Sequence, residues 1–244
     1  MSVEHYAAAV ILLVAYFIRG ITGFGSGLVS VPLLALFLPL QFVVPLILLL
    51  DFTASVVIGG FNLERVCWRE VVVLIPFGVA GVVIGTHLLV NLPKTPMLIA
   101  LAIFVFIFAV RSLLNLKGDK PISRLWAVPA ALTGGTVGAL FGTGGPPYVI
   151  YLSHRIRDNS NLRATFSALF FTEGATRITS FFVAGLLLSK EVWLAYSAAL
   201  PLILTALYFG GRVHVGFSSL QMSRLVGGLL LVSSLSLLIK VSNA

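Results

Sequence analysis

Two glycine-rich stretches decide how this chain is read: Gly20-Ile21-Thr22-Gly23-Phe24-Gly25-Ser26-Gly27 and Gly142-Thr143-Gly144-Gly145-Pro146-Pro147. They interrupt apolar segments, 4–38 and 125–153, that are too long for one membrane crossing and short for two. Glycine weakens a helix, and Pro146 and Pro147 have no backbone N–H, so the helix is expected to break at both places. Backbone groups freed at membrane depth are tolerated only where protein or a wet cavity satisfies them. The plainer alternative is a packing patch, in which glycines let helices touch.

The rest of the chain sets the membrane context. Of 244 residues 59% are apolar and 10% charged, against roughly 45–50% and 25% in soluble domains. There is too little polar surface to coat a water-soluble globule. Disorder, collagen, a disulfide scaffold and an ordinary cytosolic enzyme are excluded. The single cysteine, Cys67, has no partner for a disulfide or a metal site. The net charge of +8 needs no nucleic-acid partner, because membrane proteins concentrate Lys and Arg in cytoplasmic loops.

Six further segments, about 41–61, 71–91, 96–116, 164–186, 191–209 and 220–240, are each apolar over the length a span requires. Sliding the chain by 119 places Gly23-Phe24-Gly25-Ser26 on Gly142-Thr143-Gly144-Gly145, and a slip of 125 brings Gly85 to Gly210 and Met97 to Met222. This layout predicts an all-α integral membrane protein forming one polytopic domain of two repeats, about 1–118 and 119–244. Each repeat is a glycine-broken helical hairpin plus three transmembrane helices.

Charge tests the topology. If each broken stretch returns to the side it left, one side holds Arg65, Arg69, Lys117, Lys120, Arg124, Arg155, Arg157, Arg163 and Arg212, and the other only Lys94, Lys190 and Lys240. Such a bias marks the first side as cytoplasmic. With three full crossings per half, the second repeat is then inverted relative to the first, a plan that recurs in secondary transporters with midplane binding sites.

Broken helices at mid-membrane offer bare N–H groups and positive helix ends, which suit an anion. The candidate substrate-binding residues are Thr22, Gly23, Gly25, Ser26 and Gly27 in the first stretch, Gly142, Thr143, Gly144 and Gly145 in the second, and Arg19 and Arg177. A charge within the membrane needs a reason. Arg19 either meets a substrate anion, pairs with a carboxylate such as Asp51, or snorkels to the interface. Asp51 either pairs with Arg19 or carries a coupling proton. Glu173 and Arg177, four apart on one helix face, either neutralise each other or act as a proton-coupling carboxylate and an anion contact. The aromatic residues are read as mostly lipid-facing bulk, with Trp68, Trp126 and Trp193 at interface positions.

With the two glycine motifs in hand, the sequence resembles the sulfite exporter TauE/SafE family of bacterial anion permeases, whose halves each open with a motif like Gly-x-Gly-Gly-Gly. The copies here are Gly23-Phe24-Gly25-Ser26-Gly27-Leu28-Val29-Ser30-Val31-Pro32 and Gly142-Thr143-Gly144-Gly145-Pro146-Pro147-Tyr148, with Ser26 and Pro146 each replacing a glycine. The resemblance implies transport of sulfite, an organosulfonate or a related sulfur anion across the bacterial inner membrane, without cofactor or metal. Partners are then a small anion and the bilayer, and proton coupling and a homodimer are compatible with it. A passive anion channel and a carboxylate permease are the alternatives. The sequence has no HExxH, GxSxG or P-loop pattern, so neither catalysis nor ATP drive within the chain is expected.

Overall fold

A computed structural model describes residues 3–22, 25–58, 63–114, 122–212 and 219–242, and every regular element among them is helical. Ten α-helices follow one another: α1 Val3–Thr22, α2 Ser26–Leu34, α3 Leu40–Ile58, α4 Trp68–Asn91, α5 Lys94–Leu113, α6 Ala127–Phe141, α7 Gly145–Arg155, α8 Asn159–Val183, α9 Lys190–Arg212 and α10 Ser219–Ser242. Both expected breaks are present. Gly25 precedes α2 with φ +95° and Gly142 ends α6 with φ +66°, the left-handed region where a Cβ is strained. At a rise of about 1.5 Å per residue, α1 runs about 30 Å while α2 runs about 14 Å. The arms of the first hairpin are therefore unequal.

Among the described residues five segments are long and apolar enough to cross a membrane: Glu4–Ile21, Leu40–Val57, Trp68–Asn91, Lys94–Leu113 and Lys190–Arg212. Four correspond to expected spans; the fifth is the first arm of the first hairpin, which the sequence did not single out as a span. Helix α8 has 25 residues, but Glu173, Arg177 and its threonines make it less apolar than those five. The described apolar part of α10 is Leu230–Lys240. Exposed side chains such as Val10, Val72, Val83, Ile107, Leu194 and Phe209 give the exterior an apolar surface, as lipid requires.

Two ion-pair and hydrogen-bond clusters define the ends of the bundle. Glu70, in the first turn of α4, accepts from Arg124 (3.2 Å), which lies just before α6, and from Arg155 (2.9 Å), the last residue of α7. Tyr151 Oη donates to its other oxygen at 2.6 Å. Both ends of the second broken hairpin thus meet one carboxylate, so α6 and α7 go in and come back on the same face. The backbone N–H of Cys67 reaches Thr165 Oγ1 (3.0 Å), adding the start of α8 to that face. At the opposite ends, Lys240 Nζ donates to the carbonyls of Ala35 and Leu36, and Gln41 donates to the carbonyl of Leu89.

Glycines make the closest helix contacts. A Cβ on Gly81 or Gly85 of α4 would strike the α6 backbone at Leu132 and Thr136, and one on Gly135 would strike Gly78. In the same way Gly210 of α9 meets the carbonyl of Phe17, and Gly20 of α1 meets Leu207, Gly210 and Gly211 at 2.8–2.9 Å. Small residues allow this approach, which replaces the hydrophobic drive that is missing in lipid. Gly85 and Gly210 therefore perform the same task, each seating a long helix on the first arm of a broken hairpin.

Candidate functional site

The two breaks meet. The position of a Cβ on Gly27 is filled by the carbonyl oxygen of Gly142, and lies 3.6 Å from Asp51 Oδ2. A Cβ on Gly142 would touch Val31 at 3.3 Å. Beside this junction stand two polar clusters of different character.

At the first break the carboxylate and the arginine are bonded to each other, although Arg19 Nε is buried without a partner among the described residues. Tyr16 and Arg19, three apart on α1, share a face with Ser26 across the break. Asp51 Oδ1 accepts from Tyr16 Oη at 2.6 Å and from Ser26 Oγ at 2.6 Å, and Arg19 Nη1 lies 2.6 Å from it. Arg19 also donates to Ser26 Oγ (2.8 Å), to Ser55 Oγ (2.7 Å) and to the Asp51 carbonyl (3.1 Å). Arg19 supplies the counter-charge of Asp51. Of the readings open for these two residues, the structure shows their mutual pairing.

The cluster at the second break has unused valences. Glu173 is 5% exposed; its Oε1 accepts from Tyr148 Oη at 2.8 Å, and its Oε2 is buried with no partner among the described residues. Arg177, 9% exposed, donates from Nη1 to the Gly138 carbonyl at 3.0 Å, and its Nε has no partner. Thr143 Oγ1 is also buried and unpartnered. These groups surround one turn, since a Cβ on Gly138 would lie 3.6 Å from Glu173 Oε1 and 3.3 Å from the Cα of Gly144. The expected neutralisation of Glu173 by Arg177 is corrected here: no ion pair within 4.0 Å joins them among the described residues, because α7 and α6 present each with a nearer polar partner. Their one-turn spacing still places the two charges on one face.

Gly144 and Gly145 shape the second break. A Cβ on Gly144 would strike the Gly134 carbonyl, and one on Gly145 would touch Phe170 at 3.5 Å. Pro146 and Pro147 occupy the first turn of α7 and remove two of the N–H donors that a helix N-terminus normally offers. At this break side chains must do more of the donating, and Thr143 and Arg177 are the ones at hand. Gly23 lies outside the described residues, and so does the side chain of Thr22.

Sequence reasoning missed Tyr16, Tyr148 and Tyr151, whose hydroxyls donate to the carboxylates, and Ser55, whose hydroxyl accepts from Arg19. The available signal for Tyr16 was its spacing of three from Arg19. Tyr148 closes the second motif. Among the described residues no group of three or more His, Cys, Asp or Glu could hold a metal.

The broken hairpins, the glycine seams and the buried charges define a polytopic helical transporter, and the comparison of sequences gives it a family. The profile of the sulfite exporter TauE/SafE family matches residues 7–237, so the chain belongs to that family. A probable inner membrane transporter protein, TsaS of Comamonas testosteroni, is 29% identical over 195 residues, which is 79% of this chain and 81% of that protein. No solved structure matches. Membership makes the chain a membrane transporter of a sulfur-related anion and not an enzyme.

Proposed function

We propose that the chain is a secondary transporter that carries a small sulfur oxyanion, such as sulfite or an organosulfonate, across the bacterial inner membrane. The carrying observation is the junction of Gly27 with the Gly142 carbonyl beside Arg177 and Thr143. Backbone from both breaks and a guanidinium bonded to no carboxylate within reach meet at one place. The halves, about 1–118 and 119–244, are read as inverted repeats. The return of α7 to the face α6 left supports this, as does the exchange in which α4 seats on α6 and α9 on α1. The face holding Glu70, Arg124 and Arg155 is then cytoplasmic.

The pocket beside Glu173 measures about 10 Å3, too small to hold a sulfur oxyanion. A site so tight beside Glu173 supports a carrier, which must rearrange to admit its cargo, over an open conduit. Counterflow in proteoliposomes tests the reading. Preloaded unlabelled sulfite should drive transient accumulation of labelled sulfite, with saturation and with competition by sulfonates. Flux that neither saturates nor shows counterflow, or that prefers carboxylates, would overturn it.

A further inference from the structure

Of the two carboxylates beside the junction, Glu173 is the one with a buried, unpartnered oxygen, whereas the Asp51 side chain is 21% exposed. Asp51 Oδ1 is bound by Tyr16 and Ser26 and is paired with Arg19. Glu173 keeps one donor, Tyr148, and an unpartnered buried Oε2. It also lines the small pocket with Leu74, Ile75, Gly78, Tyr148 and Thr176, a space of about one water molecule. The pocket lies between α4, α7 and α8, beneath the Glu70 cluster that ties α7 to α4.

Charge in this low-dielectric region must balance. Glu173 as carboxylate and Arg177 as guanidinium sum to zero. A monoanion arriving at Arg177 and Thr143 brings the sum to minus one, which burial penalises. One proton on Glu173 Oε2 restores zero. The charged or titratable groups facing Glu173 among the described residues are Tyr148 from α7 and Arg177 on its own helix. The α4 wall is apolar, α6 presents Gly138, and α3 presents Phe52 beside Gly174.

We propose that Glu173 binds and releases the coupling proton, so that the second break takes up an anion and a proton together, while Asp51 serves as the partner of Arg19. This inference rests on the anion-transport reading above. On uptake, a proton passes from water in the pocket to Glu173 Oε2, forming the O–H bond as the anion docks on Arg177. On release the O–H bond breaks, the proton returns to water, and the carboxylate remains with Tyr148. Linkage is reciprocal: the proton strengthens anion binding by the factor with which the anion strengthens proton binding.

The test measures proton uptake on anion binding in weakly buffered detergent solution. The probe is whichever of methanesulfonate, sulfate and sulfite the protein exchanges in counterflow, with sulfite corrected for its own titration. Wild-type protein should take up about one proton per monoanion bound, and its affinity should fall roughly tenfold per pH unit once Glu173 is ionised. Glu173→Gln should bind the anion as tightly as wild type does at low pH, with no pH dependence and no proton uptake. Glu173→Asp, which keeps a carboxyl, should retain uptake. Infrared difference spectra should show a protonated-carboxyl band on anion addition that Glu173→Gln lacks. Unchanged proton uptake in Glu173→Gln, or wild-type binding with no uptake, overturns the proposal while leaving the transporter reading intact. Absence of counterflow with all three anions removes that reading, and the linkage with it.

Discussion

Gly27 and Gly142 meet backbone to backbone, the carbonyl oxygen of Gly142 standing where a Cβ on Gly27 would be. Two segments from opposite halves of the chain are thereby held closer than any side chain permits. Gly27→Ala should separate the breaks and abolish sulfite counterflow, with the protein still inserted. Gly25→Ala is the informative companion, because a Cβ there meets nothing within 4 Å but carries φ +95°. It should cost about 1–2 kcal/mol of stability from backbone strain alone. Melting curves and counterflow on both variants separate strain from collision; full transport by Gly27→Ala would contradict the junction.

The two arginines should behave differently. Arg19 is matched by Asp51 at 2.6 Å, so Arg19→Gln leaves a partly buried carboxylate without its counter-charge. A loss of about 3–5 kcal/mol is expected, seen as lower melting temperature and yield, with partial recovery in the Arg19→Gln/Asp51→Asn double variant. Arg177→Gln should leave the protein folded and weaken anion binding by about one to two decades. Isothermal titration on the purified variants reads both effects, and equal folding defects in the two would argue against this division.

Breaks are local events, and for that reason both were legible: glycine and proline act on their own backbone, and the helices end at Thr22 and Phe141. Partnership between charges is not local. The one-turn spacing of Glu173 and Arg177 suggested mutual neutralisation, yet a tyrosine from α7 and a carbonyl from α6 reach them first. Asp51 was left with two readings because its partners, Tyr16, Arg19 and Ser26, stand on other helices. Tyr16 and Tyr148 were hidden among many aromatics, since a buried hydroxyl donor and a lipid-facing ring look alike in sequence.

Glu70 should act as a clasp. It joins the start of α4 to both ends of the second hairpin through Arg124, Arg155 and Tyr151. Glu70→Gln removes the charge that both arginines share, and about 1.5–3 kcal/mol is expected for a charge-assisted bond so weakened. A cysteine introduced at Ser153, an exposed α7 residue, should then react faster with a membrane-impermeant maleimide from the cytoplasmic side. Unchanged labelling would show that the clasp does not restrain α7.

Glycines at the seams should tolerate no addition. Gly85→Ala improves helix propensity by about 1 kcal/mol, yet its methyl would strike Thr136 and Ala139, so a net loss is expected. Gly228→Ala, with nothing within 4 Å, should be neutral or slightly stabilising. Thermal melts of the two variants in one detergent decide it, and equal melts would show that α4 and α6 can part without penalty.

The seams also dictate what can move. Since α4 lies against α6 and α9 against α1 with no side chain between them, neither half can swing away as a lobe without peeling off its tightest contacts. The movable bodies are mixed, each built from a hairpin of one half and a long helix of the other. Residues 1–114 alone would leave the Gly20 face of α1 and the glycine face of α4 without the helices that cover them. Helices α9 and α6 supply both missing surfaces. Severed in the 115–121 connection, this chain should give two fragments that are unstable apart and associate when made together.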